Sequence, residues 1–462
     1  MINSLNEYTI KKYGIIYTPE ILVNNILNLI PNNEFNNPNN KWLDIGAGRG
    51  AFSLNLYNRL DRGLTDIISD ENERKDHIIK NMIYMAEIYP EHIKELENKF
   101  TENANILKED FLSIIPEETI KFNFIIGNPP YNINGAIKTP TNKNLSKHED
   151  GKTIYVDFIN QSLKLLVNKG YLNLIIPSLW LKPDKAKLYN TLINLNIHKL
   201  HNLTTSETYK QFNYKAQLPT SYFLIENNNT INNDRNKIIN IYDKFEKTYI
   251  EYELLKNYPI PITGITIINK LLKYIRLDEI SSLKYYKTNT VSKKTTLSDT
   301  SNTEFKYENI KTCLLSNLKP KLIKNYSNSP EQYFNTTKLV LAHKMYGFPY
   351  LDISGIYGIS TRDNYIISNK DYKIDELKEI QNFLSTKLAL FIFSTTSYRM
   401  RYLERYAFQL IPDITNIKNF PKLSNLTREN RDKKIYEFFK LSKLEINVIE
   451  NNSKDYKFFV DL

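Results

Sequence analysis

Asparagine, two prolines and tyrosine, Asn128 to Tyr131, follow the apolar run "FNFIIG" that starts at Phe122. A buried strand has no need to end this way. Two prolines fix the backbone and remove N–H donors, which leaves carbonyl oxygens presented without competition. A side-chain amide and a neighbouring backbone carbonyl can together accept both hydrogens of an amine. Tyr131 can stack on a planar ring. The four residues read as a receptor for a planar base bearing –NH2, at the strand end where α/β sheets bind ligands.

Three further strand ends carry chemistry. "LDIGAGRG" from Leu43 to Gly50 places Asp44 at a strand end, then Gly46, Ala47 and Gly48 in a tight turn before the helix pattern "AFSLNL". Such glycines let a ligand approach the backbone. The spacing is not that of the dinucleotide fingerprint, and no lysine follows as in a P-loop. In "MIYMAEIYPE", Glu87 sits where a carboxylate can accept from ribose hydroxyls. In "ILKEDFLSI", Asp110 can accept from an adenine amine and Phe111 can cover the ring; the competing role for Asp110 is a helix N-cap.

These motifs lie in a stretch, Trp42 to Ile225, that alternates short β-rich runs with helical patterns. The runs "KWLDIGAG", "NMIYMAEI", "ANILKED", "FNFIIG", "YLNLIIP" and "PTSYFLIEN" read as strands. "AFSLNLYNRL", "YPEHIKELENKF" and "YVDFINQSLKLLVNKG" read as helices, the last ending at Gly170. This is the pattern of a mostly parallel sheet with helices on both faces. A polar stretch from Glu226 to Lys237 reads as the domain boundary, giving domains 1–230 and 231–462 with an internal split near 287–303.

With 462 residues the chain exceeds a single core. The net charge of +11 and pI of about 9.1 fit a polyanionic partner, although asparagine, lysine, isoleucine and tyrosine enrichment also suits an AT-rich coding sequence. One cysteine, Cys313, excludes a disulfide framework and a cysteine-based metal site. Of six histidines, His198 and His201 could share a helix face, but nothing nearby completes a ligand set, so no metal is expected. No apolar run reaches membrane-spanning length, and "MINSLNEYTIKKYG" lacks the apolar core of a signal peptide. The expected setting is cytoplasmic, or the host cytoplasm if the gene is viral.

In content and order the motifs resemble the S-adenosylmethionine-dependent DNA adenine-N6 methyltransferases of the gamma group, many of them from restriction systems. The resemblance implies a Rossmann-like methyltransferase fold followed by a mixed α/β target-recognition domain. It implies S-adenosylmethionine as cofactor, held by Thr18, Pro19, Asp44, Gly46, Ala47, Gly48, Glu87, Asp110, Phe111 and Asn128. Asn128, Pro129, Pro130 and Tyr131 match the catalytic tetrad, and Phe212 in "YKQFNYKAQLPTSYFLIEN" matches the aromatic that stacks on the target base with Tyr131. The implied reaction is methyl transfer to the N6 amine of a flipped-out adenine in double-stranded DNA, by a monomer, with a separate restriction endonuclease as a partner. The likeness is strong over the first half and faint over the second. The charged stretch "DRGLTDIISDENERKDHIIK" departs from the pattern.

Contacts to DNA are expected from Lys138, Lys143 and Lys147 in the polar loop after Tyr131, which would close over the base. They are also expected from Arg399, Arg401 and Arg405 in "SYRMRYLERY", unless that segment is an amphipathic helix with a solvated face. Lys319, Lys321 and Lys324 would add phosphate affinity. Competing functions are RNA adenine methylation, protein glutamine N-methylation through the same tetrad, and DNA binding without catalysis. Cytosine-N4 enzymes usually carry serine in place of Asn128. Cytosine-C5 chemistry needs a cysteine nucleophile, and Cys313 stands in no matching motif. A fused nuclease would need an acidic site that the sequence does not present.

Overall fold

The computed structural model describes the chain except residues 1–6, 119, 135–151, 184–186, 229–236, 278, 317–318, 344–347, 400–402 and 454–462. It divides into two compact units, Met1–Tyr242 with Tyr249–Leu255, and Asp243–Thr248 with Lys256–Leu462.

The first unit opens with helices α1 (Glu7–Tyr13) and α2 (Glu20–Leu27). Strand β1 (Trp42–Ile45) then leads to α3 (Ala51–Gly63), and α4 (Glu71–His77) precedes β2 (Ile83–Ala86). Helix α5 (Pro90–Phe100), β3 (Asn105–Leu107) and β4 (Phe122–Gly127) follow. The short pair β5 (Asn132–Ile133) and β6 (Lys152–Thr153) leads to α6 (Tyr155–Leu165), β7 (Leu166–Pro177) and α7 (Leu188–Ile193). The unit ends with β8 (Asn196–Leu203), α8 (Thr205–Gln211), β9 (Thr220–Glu226), β10 (Lys237–Asp243) and β11 (Thr248–Leu254).

Its nine-stranded sheet has the order β11-β10-β8-β9-β7-β4-β1-β2-β3. The pairs β1/β2, β2/β3, β1/β4, β4/β7 and β8/β10 are parallel, and β9 runs antiparallel between β7 and β8. Strands β1 and β4 are apolar and buried nearly throughout because helices cover both faces. Trp42 on β1 stacks between Phe35 and Phe124, and α3 buries Phe52, Leu56 and Leu60 beneath it. The strand order reverses at β1 and β4, so the loops leaving those two strands border the crevice where such sheets take ligands.

Three local expectations need correction. The helix expected to run to Gly170 ends at Leu165, because Leu166 already pairs with Phe122 and Tyr171 with Phe124 in the sheet. The strand expected from Asn81 begins at Ile83, after a π-helical turn over Ile78–Met82. His198 and His201 lie on strand β8, not on a helix; they bond Glu226 Oε2 (3.0 Å) and the Tyr222 hydroxyl (2.7 Å). The divergent charged stretch spans the end of α3, all of α4 and the start of the π-helical turn; the buried Arg74 of α4 holds Asp61 at 2.7 Å and donates to the Ile68 and Ser69 carbonyls.

The second unit is mixed α/β, begun by α9 (Ile265–Leu277). One four-stranded sheet has the order β12-β19-β16-β17 and another β13-β15-β14-β18. The strands are β12 (Tyr286–Lys287), β13 (Leu297–Ser298), β14 (Tyr307–Ser316), β15 (Lys319–Ser327), β16 (Lys338–Ala342), β17 (Tyr350–Asp352), β18 (Gly358–Ile359) and β19 (Asn364–Ser368). Helices α10 (Ile374–Leu384), α11 (Lys387–Thr395), α12 (Arg428–Phe438) and α13 (Lys443–Ser453) complete it. Lys338 is buried and holds Asp352 Oδ2 at 2.6 Å while donating to the Tyr357 carbonyl. No helix among the described residues is long and apolar enough to cross a membrane.

Candidate active site

A cleft opens at the reversal point. Its wall comprises Tyr13 to Tyr17 from the N-terminal segment, Gly46 and Gly48 after β1, Ala86 to Ile88 after β2, and His92 on α5. Glu109 to Phe111 after β3, Asn128 to Tyr131 after β4, and Phe158 on α6 close it. The four motifs therefore converge, although they are spread over nearly ninety positions.

The loop after β1 turns through Gly46 and Gly48 in left-handed conformations, which keeps the backbone open toward Pro130. Asp44 and Ala47 do not line the cleft. Asp44 is 1% exposed; its Oδ2 accepts from the Ser53 N–H (3.2 Å) and hydroxyl (2.7 Å), so it ties β1 to α3. Burial raises its carboxyl to about 7, against the opposing pull of the Ser53 bonds. The Ala47 N–H donates to the Ala86 carbonyl (3.0 Å), fixing the loop against β2.

Glu87 does line the cleft. Its Oε2 accepts from Gly48 N–H (2.7 Å), and its Oε1 accepts from Ile88 and Tyr89 N–H (2.8 Å each). Burial pushes its pKa up, but His92 and the N–H groups of Tyr89 and Gly48 outweigh burial and hold it below the ordinary value. An ionised carboxylate has about four lone-pair sites, and these three N–H groups leave room for one ribose hydroxyl. Asp110 caps the turn Phe111–Ser113 by accepting from Leu112 N–H (3.0 Å), and remains exposed on the cleft wall. The capping role and the lining role coexist. Phe111 is buried and stacks on Phe158 with centroids 5.0 Å apart. This set of two acids, an apolar ring and an open glycine turn fits a nucleoside bearing a ribose and an amine, and so fits S-adenosylmethionine.

The amide of Asn128 is oriented from the N-terminal segment. Its Nδ2 donates to Thr18 Oγ1 (3.0 Å) and to the Ile16 carbonyl (3.4 Å). Its Oδ1 is buried without a partner, as is the Tyr131 hydroxyl. Tyr131 is held edge-on to Tyr155 at 6.3 Å, its backbone carbonyl accepts from Ile154 N–H, and burial raises its phenol well above the ordinary range. Thr18 itself does not line the cleft, and Pro19 serves as the N-cap of α2.

Phe212 is not brought to this site. It is 1% exposed, follows α8 as its C-cap and belongs to the hydrophobic core with Leu203, Ala216 and Tyr222, so it offers no face to a base. Lys138, Lys143, Lys147 and Arg401 lie outside the described residues. In the second unit, the described residues of "SYRMRYLERY" form no α-helix: Tyr398 is buried with its hydroxyl on the Ile260 carbonyl, and Arg405 begins a short 3-10 turn. Arg399 and Arg405 are exposed, the latter donating to the Tyr406 hydroxyl (2.7 Å). Lys321 is exposed, whereas Lys324 is engaged by Glu308 (3.0 Å) and the Tyr357 hydroxyl (2.9 Å).

Sequence reasoning did not find Tyr13, Tyr17 and His92. His92 is buried between the Tyr17 hydroxyl (2.9 Å to Nε2) and Glu87 (3.5 Å from Nδ1), and the Arg49 guanidinium lies over the Tyr17 ring at 4.9 Å. Its spacing with Leu96 and Phe100 reads as one buried helix face. The tyrosines stand in the run "YGIIYTPE", of which only Thr18 and Pro19 carried a signal.

Comparison with known proteins is consistent with this geometry. The chain is 28% identical over 214 residues to the type II methyltransferase M.BstVI of Geobacillus stearothermophilus, covering 42% of this chain and 38% of that protein. It is 25% identical over 274 residues to an uncharacterized adenine-specific methylase of Mycoplasma pneumoniae, covering 42% of this chain and 62% of that one. A tRNA1(Val) (adenine(37)-N6)-methyltransferase of Parabacteroides distasonis is 26% identical over 135 residues, 29% of this chain and 51% of that one. The chain thus spans less than two thirds of each of these relatives. Residues 39–212, which contain the glycine turn, both acids and the Asn128–Tyr131 loop, match the Eco57I restriction-modification methylase family.

Proposed function

We propose that this chain is a site-specific DNA adenine methyltransferase that uses S-adenosylmethionine and acts on the N6 amine of an adenine swung out of the duplex. The observation that carries the reading is the buried, unpartnered Oδ1 of Asn128, a residue that lines a cleft whose other walls suit a nucleoside. A buried acceptor left without a donor costs about 1–3 kcal/mol, and an incoming amine hydrogen would recover it. When bound, S-adenosylmethionine supplies an electrophilic methyl group. The protein's part is positional. Asn128 Oδ1 and the Pro129 carbonyl accept the two amine hydrogens, which localises the nitrogen lone pair for attack. The Tyr131 ring braces the base, and base stacking of this kind contributes about 1–3 kcal/mol toward the cost of flipping. Glu87 and Asp110 hold the cofactor's ribose and adenine. Arg399, Arg405 and Lys321 supply phosphate contacts from the second unit, which acts as the target reader. The chain works as a monomer on DNA, beside a separate restriction endonuclease.

A second reading is RNA adenine methylation, favoured by the likeness to the tRNA1(Val) enzyme. The test is transfer of labelled methyl from S-adenosylmethionine to unmethylated genomic DNA and to unmodified tRNA, followed by nucleoside mass analysis. N6-methyladenine in DNA is expected, with Asn128→Ala slowing transfer about 100- to 1,000-fold, by analogy with loss of one preorganised polar contact. Label in tRNA alone selects the second reading, and label in neither defeats both.

A further inference from the structure

The acceptor role of Asn128 requires its amide to face one way. A side-chain amide rotated by half a turn would present –NH2 to an incoming amine and repel it. In this protein the orientation is set 110 positions away in sequence. The Ile16 carbonyl can only accept, so the amide side facing it must be the donor, and the Thr18 hydroxyl gives the same –NH2 a second and shorter partner.

The segment carrying these two groups is fixed at both ends. At one end Gly14 adopts φ +65°, and a Cβ there would stand 2.1 Å from the Asn132 carbonyl oxygen and 3.3 Å from Pro130 Cβ. The segment therefore lies directly on the loop that carries Asn128. At the other end Pro19 begins α2, which buries Leu22, Val23, Ile26 and Leu27, and Asn173 on β7 donates to the Ile26 carbonyl at 3.0 Å. Thr18 is 9% exposed and does not border the cleft, so its hydroxyl is directed at Asn128 rather than at a ligand.

From this geometry we infer that Thr18 is the positioning residue for Asn128: its hydroxyl, with the Ile16 carbonyl, locks the amide so that Oδ1 faces the amine. The inference rests on the methyltransferase reading. It assigns Thr18 to the amide, in place of the cofactor contact that the family resemblance implies. Removing the hydroxyl should slow the chemical step and leave cofactor affinity intact.

The test compares full-length wild type, Thr18→Val and Thr18→Ser in single-turnover methyl transfer at saturating S-adenosylmethionine and DNA, with cofactor affinity measured by calorimetry. Thr18→Val is expected to be about tenfold slower, the kinetic equivalent of one lost hydrogen bond, with cofactor Kd within about twofold. Thr18→Ser should recover most of the rate. In an Asn128→Ala background the Thr18→Val change should cost nothing further, because its partner is gone. Should Thr18→Val fail to fold, Thr18→Ala against Thr18→Ser makes the same comparison. Full rate without the hydroxyl overturns the inference. So does a loss of rate matched by lost cofactor affinity, and so does an additional loss in the Asn128→Ala background. If wild type methylates neither DNA nor tRNA, the methyltransferase reading fails, and the inference fails with it.

Discussion

Replacing Asp44 with asparagine should change how stability depends on pH, by an amount set by burial. Asp44 is fully enclosed at the end of β1, accepts two bonds from Ser53 through Oδ2, and leaves Oδ1 without a partner. Burial is the largest influence on its carboxyl, which moves from 3.8 to about 7, and the Glu87 carboxylate adds to the rise. The folded state thus binds this proton more tightly than the unfolded state. Stability is highest at acid pH and falls as pH climbs from the unfolded value toward the folded one, opposite to a salt-bridged aspartate. At about 1.4 kcal/mol per tenfold change, the whole span is worth about 4 kcal/mol, of which about 2–3 kcal/mol falls between about pH 5 and about pH 8. Asparagine is nearly isosteric, keeps an acceptor for Ser53 and does not titrate. The two tryptophans, Trp42 and Trp180, are both buried in the first unit, so their fluorescence in denaturant titrations reports on that unit. The stability difference, wild type minus Asp44→Asn, should become more negative by about 2–3 kcal/mol from about pH 5 to about pH 8. A difference that stays flat, or that grows more positive, would refute the assignment of a buried, proton-holding Asp44.

Glu87→Gln should weaken cofactor binding about 10- to 100-fold, because a charged acceptor is replaced by a neutral one, and calorimetry reads this directly. Because Glu87 is held below its ordinary pKa, wild-type affinity should stay level from about pH 8 to about pH 5 and decline only under stronger acid. Gly14→Ala should displace the N-terminal segment from the Asn128 loop, with about 1–2 kcal/mol of left-handed strain besides the clash; transfer rate and cofactor affinity should fall together. Lys338→Met leaves the Asp352 carboxylate buried without its ion partner and should destabilise the second unit by about 3–5 kcal/mol by calorimetry, with Asp352→Leu in the same chain recovering much of it.

The parts of the site that were legible in sequence are those where one residue type does one job at a strand end. Asn128 to Tyr131, Glu87 and the glycine turn could be placed because parallel strands are short apolar runs and ligands gather where they stop. What escaped was set by contacts distant in sequence. Phe212 was implied by the family resemblance, but core packing around Ala216 and Tyr222 turned its ring inward. The end of α6 was decided by the pairing of Leu166 with Phe122, which no helical periodicity reports. Strands β10 and β11 belong to the first sheet although a polar, aperiodic stretch separates them from β9. "SYRMRYLERY" looked like an exposed basic face, yet Tyr398 is in the core.

The same reasoning explains why Thr18 could be found but not understood. Its type and its neighbour Pro19 marked it as part of the site, while its role depends on which atom its hydroxyl meets. The segment Tyr13 to Thr18 meets the site at three points: Gly14 on Pro130, Tyr17 on His92 beside Glu87, and Thr18 on Asn128. Glu87 and the Asn128 amide are thereby held by one stretch of chain. Loosening that stretch should perturb cofactor binding and chemistry together, as at Gly14. Removing a single hydroxyl within it should separate them, as at Thr18, because that hydroxyl bonds the amide and does not border the cleft.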